Sequence, residues 1–198
     1  MSRRLLLVLG AVVAVIAMVV IGLSQAGSKS KTPAPATLSL AQQRERLAGA
    51  PAPLAGLHAQ ASELLTGGTT AVGARMAALQ RAGYPVVINK WAAWCGPCRL
   101  EFPVFQRVSV ALGKRVAFIG LDGHDNRGDA RAFLARTPLS YPSYEDPNER
   151  TAHSLQAGAF YPTTVFVDAR GRRTVHQGPY NDEATLERDI RRYALGRA

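Results

Sequence analysis

The chain has 198 residues, 47% of them hydrophobic, with a formal net charge of +10; this suits one globular domain with appendages and enough apolar residues for a core. Arg3, Arg4, Lys29 and Lys31 lie in an N-terminal stretch without acids, and the remaining charge is mostly arginine interspersed with acids. No element clusters basic residues with aromatic partners, which argues against a nucleic-acid binder and for a solvated basic surface.

Arg3 and Arg4 precede an unbroken uncharged apolar run, Leu5 to Leu23. A run of about 20 residues spans a bilayer, whereas the apolar core of a signal peptide is usually shorter, roughly 7–15. Residues 1–25 are therefore expected to be a single transmembrane anchor, although Ser24-Gln25-Ala26 has the form of a cleavage site. No cysteine follows the run, so a lipoprotein anchor is excluded. The arginine pair favours a cytoplasmic N-terminus, and either reading exports the rest of the chain. A single-pass cell-membrane protein with its working domain outside the cytoplasm is expected. Residues 26–37, polar and proline-containing, read as a flexible tether.

Residues 38–83 read as a helical extension. Ser39 and Gln42 form a capping-box pattern for a helix to about Leu47. Leu54, Leu57, Ala61, Leu64 and Leu65 recur at helical spacing until Gly67-Gly68. Val72, Met76 and Leu79 mark a third helix, ended by Gly83. Residues 84–198 then alternate strands and helices. Val86–Trp91 reads as a buried central strand. A helix follows, with Val104, Phe105, Val108, Ala111 and Leu112 on its inner side. Val116–Leu121 is a second strand parallel to the first. Ala130–Arg136 is a helix with Asp129 as its cap. Ser140–Tyr144 is extended and Glu149–Gln156 a short helix. Thr163–Val167 and Thr174–Gln177 form a hairpin, and Asp182–Leu195 closes the chain as a helix.

Both cysteines, Cys95 and Cys98, sit between the first strand and its helix, in Trp-Cys-Gly-Pro-Cys. Residues three apart share a helix face, and one turn falls within disulfide reach. Cys95 stands at the positive end of the helix, which lowers a thiol's pKa; it is expected to be the attacking, more exposed sulfur. Cys98, one turn in, resolves the mixed disulfide. A structural disulfide would close a tiny loop and add little stability. A zinc site would need two further ligands, and there is no second cysteine pair. The pattern points to a redox dithiol.

Val86 to Pro103, Val-Val-Ile-Asn-Lys-Trp-Ala-Ala-Trp-Cys-Gly-Pro-Cys-Arg-Leu-Glu-Phe-Pro, resembles the thioredoxin superfamily. The Arg-x-Glu-Phe-Pro that follows the cysteines points to its TlpA-like, membrane-anchored thiol-disulfide oxidoreductases. The resemblance implies an α/β thioredoxin fold and begins at about Tyr84. It also implies a cis Pro162 facing the dithiol, with Tyr161 pairing with substrate peptide. A glutamate matching Glu101 recurs in that branch and would carry the proton of Cys98. Trp94 would shield the disulfide and meet substrate. Asn89 replaces the acid of cytosolic thioredoxins and cannot titrate. Lys90, where an aromatic is common, is expected to reach solvent. Leu121–Asp129 is out of register for an EF-hand and reads as a solvated loop.

The implied activity is exchange with protein thiols and disulfides, chiefly as a reductase, with electrons from a membrane thiol-transfer protein. Some relatives serve cytochrome c maturation. A disulfide oxidase is the alternative. So is a copper chaperone, using Cys95, Cys98 and one of His124, His153 or His176. No nucleotide or flavin motif implies a bound cofactor.

Overall fold

The computed structural model describes residues 37–158 and 160–196. The expected anchor and nearly all of the tether lie outside the described residues; among the described residues no helix is long and apolar enough to cross a membrane.

Helix α1 (Leu40–Leu47) opens with the reciprocal capping box read from the sequence, Ser39 bonding the Gln42 N–H and Gln42 the Ser39 N–H. Helix α2 (Ala52–Ala59) is shorter than its leucine spacing predicts, and Ser62 turns the chain with a φ of 62°. Leu64–Leu65 forms strand β1, parallel to β4 (Ser143–Asp146). Gly67, at φ 106°, precedes a helix rather than ending one: α3 spans Gly68–Arg81.

Strand β2 (Val86–Trp91) is buried along its whole length, as its apolar run requires. It feeds α4 (Gly96–Leu112), β3 (Ala117–Gly123) and α5 (Arg127–Arg136). The cap of α5 is Asn126, not the expected Asp129: the Asn126 Oδ1 accepts from the Gly128 and Asp129 N–H groups. Asp129 lies in the first turn, where an acid complements the helix dipole. After β4 come α6 (Arg150–Ser154), the hairpin β5 (Thr163–Val167) and β6 (Arg173–Gln177), and α7 (Glu183–Asp189). A π-helical turn, Ile190–Ala194, extends α7.

The sheet order is β1-β4-β3-β2-β5-β6. β1 to β2 run parallel, and β5 and β6 are antiparallel additions. With helices on both faces, this is the thioredoxin fold. Alternation along β2 divides the core. Val87 and Trp91 join Phe102, Phe105, Phe133 and Leu186 on the α4 side. Val86 and Ile88 join Leu54, Leu57, Val72 and Met76 on the other. The N-terminal helices therefore complete one face of the same sheet. Ala111, expected inside, is exposed.

Candidate active site

Cys95 is the N-cap of α4 and Cys98 lies in its first turn, with Pro97 between them supplying no N–H where none is needed. The cysteines form a disulfide, with their Cα atoms 5.3 Å apart. Cys98 is fully buried and Cys95 is 3% exposed, so the expected difference in exposure is small in the oxidised state. The Cys98 N–H donates to the Cys95 Sγ at 3.1 Å. One helix-start N–H thus points at the Cys95 sulfur at the positive end of α4, an arrangement that stabilises a thiolate there once the bond is reduced.

Behind the dithiol, Asn89 and Trp91 face the α4 side of the sheet. Glu101, one turn past Cys98, is fully buried. Its Oε1 accepts from the Asn89 Nδ2 at 2.6 Å and its Oε2 from the Tyr180 N–H at 3.1 Å. Burial pushes the Glu101 carboxyl up to about 8, against the opposing pull of those two hydrogen bonds. Asn89 faces Thr164 across the β2–β5 ladder. Among the described residues the Asn89 Oδ1 and Thr164 Oγ1 are buried without partners. Asn89 cannot titrate, and its amide holds the Glu101 carboxyl in place.

In front of the dithiol, Trp94 is 54% exposed, and its indole N–H donates to the His124 carbonyl at 2.9 Å. Its ring meets that of Tyr161, with centroids 4.9 Å apart. The Tyr161–Pro162 bond is cis. Phe160, next in line, is exposed. The Tyr161 hydroxyl donates to Glu149.

Lys90 overturns its expectation. It is fully buried, and its Nζ lies 2.7 Å from the Glu149 Oε1, 2.8 Å from the Gly158 carbonyl and 3.7 Å from the centre of the Tyr161 ring. Both faces of the sheet are covered, so the stem has no short route to water. The carboxylate, carbonyl and ring face solvate the ammonium instead. Partial burial works against the Glu149 charge, but bonds from Lys90 and Tyr161 hold its pKa below the usual carboxylate value.

Leu121–Asp129 is likewise more than a solvated loop. Asp125 accepts from the Ala93 N–H, tying the loop to the segment that carries Cys95. Asp122 is buried; desolvation and the neighbouring Asp125 push its carboxyl up to about 8. Sequence reasoning also missed Glu149, Asp125 and Tyr180. No local pattern marks Glu149 or Tyr180, which act across 59 and 79 residues of chain. His176 stacks on Tyr180, and among the described residues no group of three histidine, cysteine or acidic side chains is placed to hold a metal.

The AhpC/TSA family profile matches residues 56–174. The match begins in α2, well before Tyr84, consistent with β1 and α3 belonging to the same sheet and core. A thiol:disulfide interchange protein DsbE of Xylella fastidiosa is 36% identical over 104 residues, 52% of this chain and 51% of that protein. The thiol-disulfide oxidoreductase ResA of Oceanobacillus iheyensis is 30% identical over 92 residues, 45% of this chain and 46% of its own length. The chain thus spans about half the length of these curated relatives. A solved structure of a secreted Mycobacterium tuberculosis disulfide oxidoreductase superposes with a TM-score of 0.52 at 25% identity, covering 58% of this chain and 84% of that one.

Proposed function

This chain belongs to the AhpC/TSA family, and we propose that it is an extracytoplasmic thiol-disulfide oxidoreductase acting chiefly as a disulfide reductase. The observation that carries this reading is the Cys95–Cys98 disulfide at the start of α4, with the buried Glu101 carboxyl one turn behind it. The relatives' names, thiol:disulfide interchange protein and thiol-disulfide oxidoreductase, support the reaction class.

In the reduced protein the Cys95 thiolate attacks one sulfur of a substrate disulfide. A mixed disulfide forms, and the other substrate sulfur leaves as a thiolate that takes a proton. Cys98 then gives up its proton and attacks the Cys95 Sγ. The Cys95–Cys98 bond closes, the second substrate thiol departs, and two electrons have passed to the substrate. The ionised fraction of Glu101 accepts the Cys98 proton: a carboxyl titrating near 8 is well matched to an ordinary thiol near 8.5. Trp94, Tyr161 and Pro162 present the surface on which an extended substrate segment lies. The exposed rings of Trp94 and Phe160 favour apolar neighbours of the substrate cysteine. The N-terminal apolar run anchors the domain outside the cytoplasm, and a membrane thiol-transfer protein returns the electrons.

The deciding measurement is the equilibrium potential of the Cys95/Cys98 couple against glutathione. A value at or below about −250 mV supports the reductase. A value at or above about −150 mV makes the protein an oxidant of exported thiols. The lack of a reversible couple would remove the redox reading.

A further inference from the structure

Lys90 is a buried cation with a full set of partners, and none of them is a cysteine. It stands second from the end of β2, opposite Leu121 of β3 and Thr163 of β5. Its ammonium joins three separate pieces of chain: Glu149 at the start of α6, the Gly158 carbonyl, and the ring of Tyr161. Tyr161 closes the triangle by donating its hydroxyl to Glu149. Trp94 then rests on the outer part of Tyr161. The surroundings are shaped to this arrangement. At Gly123, where β3 ends, a Cβ would collide with the Tyr161 hydroxyl and come within 3.3 Å of the Lys90 Cε. Gly158 packs so closely on the His153 ring that a side chain there would clash. Glu149 holds a left-handed φ of 53°, away from the relaxed backbone of a glutamate.

We propose that Glu149 and Tyr161, closed around the buried Lys90 ammonium, form an ionic clamp that positions the Trp94–Tyr161 docking surface, so that recognition of peptide substrates depends on a charge pair outside the dithiol. This rests on the oxidoreductase reading above. Lys90 is a positioning residue in this scheme. It touches neither sulfur nor substrate, and it acts by holding the ring on which substrate lies.

The test compares two substrates on the full-length chain: insulin, whose disulfides must dock, and oxidised glutathione, which needs little surface. Replacing Lys90 with Met is expected to raise KM for insulin about tenfold with kcat held within about twofold, the signature of lost binding rather than lost chemistry. The Cys95/Cys98 potential should not move, and the loss with glutathione should be much smaller. A folded Lys90→Met protein with an unchanged KM for insulin overturns the clamp, and so does an equal loss on both substrates. If Lys90→Met does not fold, Glu149→Gln and Tyr161→Phe decide: a threefold or larger rise in KM for insulin supports the clamp, and no rise in either removes it. A second readout needs no activity. Hydrogen exchange of the Trp94 indole N–H, bonded to His124, should quicken in the variants if the clamp holds the ring. If the wild-type dithiol showed no reversible couple, the functional reading would fall, while this exchange measurement would still decide for or against the clamp.

Discussion

Asn89 and Lys90 are neighbours in β2, yet they belong to two different regions. The twofold alternation of a strand sends Asn89 to the α4 face, behind the dithiol, and Lys90 to the opposite face, toward Glu149 and Tyr161. Both are buried and polar, and each holds a glutamate. The outcomes are opposite. Glu101 meets only neutral donors, so burial dominates and its pKa rises to about 8. Glu149 meets an ammonium, so its pKa falls below the ordinary value despite burial. A carboxyl near the thiols that titrates near 8 can move a proton. A carboxylate locked beside a lysine stays charged and can only hold things in place. The partner's charge, rather than burial alone, separates a chemical role from a positional one.

The sharpest way to break this comparison is at the dithiol itself. Cys98→Ser is expected to abolish turnover and trap substrate on Cys95, visible as a mixed disulfide by mass spectrometry. Cys95→Ser should abolish turnover and trap nothing. Trapping on Cys98 instead would reverse the assigned order of attack.

Next in size is Glu101→Gln. Losing a general acid–base group is expected to slow resolution by about 100-fold at neutral pH and to erase an inflection near pH 8 in the rate profile. The stability consequence has a definite sign. The carboxyl titrates near 4.5 in the unfolded chain and near 8 when folded, so the stability it contributes by holding a proton is fully present below about 4.5. That contribution is lost as pH rises through about 8. Wild type should therefore lose stability relative to Glu101→Gln across that window, by on the order of a few kcal/mol, measured by urea unfolding at several pH values. Asp122, with a pKa raised in the same direction, is present in both proteins and cancels. A flat difference would place Glu101 among ordinary ionised carboxylates.

On the other face, Lys90→Met leaves Glu149 without its cation and is expected to cost about 3 kcal/mol in urea unfolding. Replacing both, as Lys90→Met with Glu149→Leu, should recover much of that loss, because the unpaired charge goes with its partner. Additive losses would mean that the two side chains are not coupled. The smallest effect is expected for Trp94→Ala. Its ring is half in solvent, so stability should change by less than about 1 kcal/mol. Exchange with insulin should slow a few-fold, while exchange with glutathione changes little.

Much of this site was legible in the sequence because it is local. A strand run, a dithiol at helix spacing, a proline inside that spacing and a glutamate one turn later all fall within Val86–Pro103, and each has a short-range cause. The capping box at Ser39 and the hairpin around Asp168–Gly171 are equally local, and both stand as read. Local reasoning erred where two signals competed. Leu64 and Leu65 continue a helical spacing, but the edge of the sheet claims them as a strand. Asp129 stands where the apolar pattern of α5 calls for a cap, but Asn126, three residues earlier, bonds the free N–H groups.

The sequence by itself determined the order of elements from Tyr84 onward, the dithiol at helix spacing and the candidate proton carrier, since these depend on spacing and on side-chain chemistry. Tertiary structure alone decided the fate of the charges. Whether Lys90 reaches water or is buried depends on what covers the sheet and on a glutamate 59 residues away. Whether Glu101 is ionised depends first on the packing that buries it and then on the opposing bonds from Asn89 and from the Tyr180 N–H, 79 residues downstream. The physical reason is that a charge's free energy is set by every dipole and ion around it in space, and the spacing of residues along a chain records only the nearest of these.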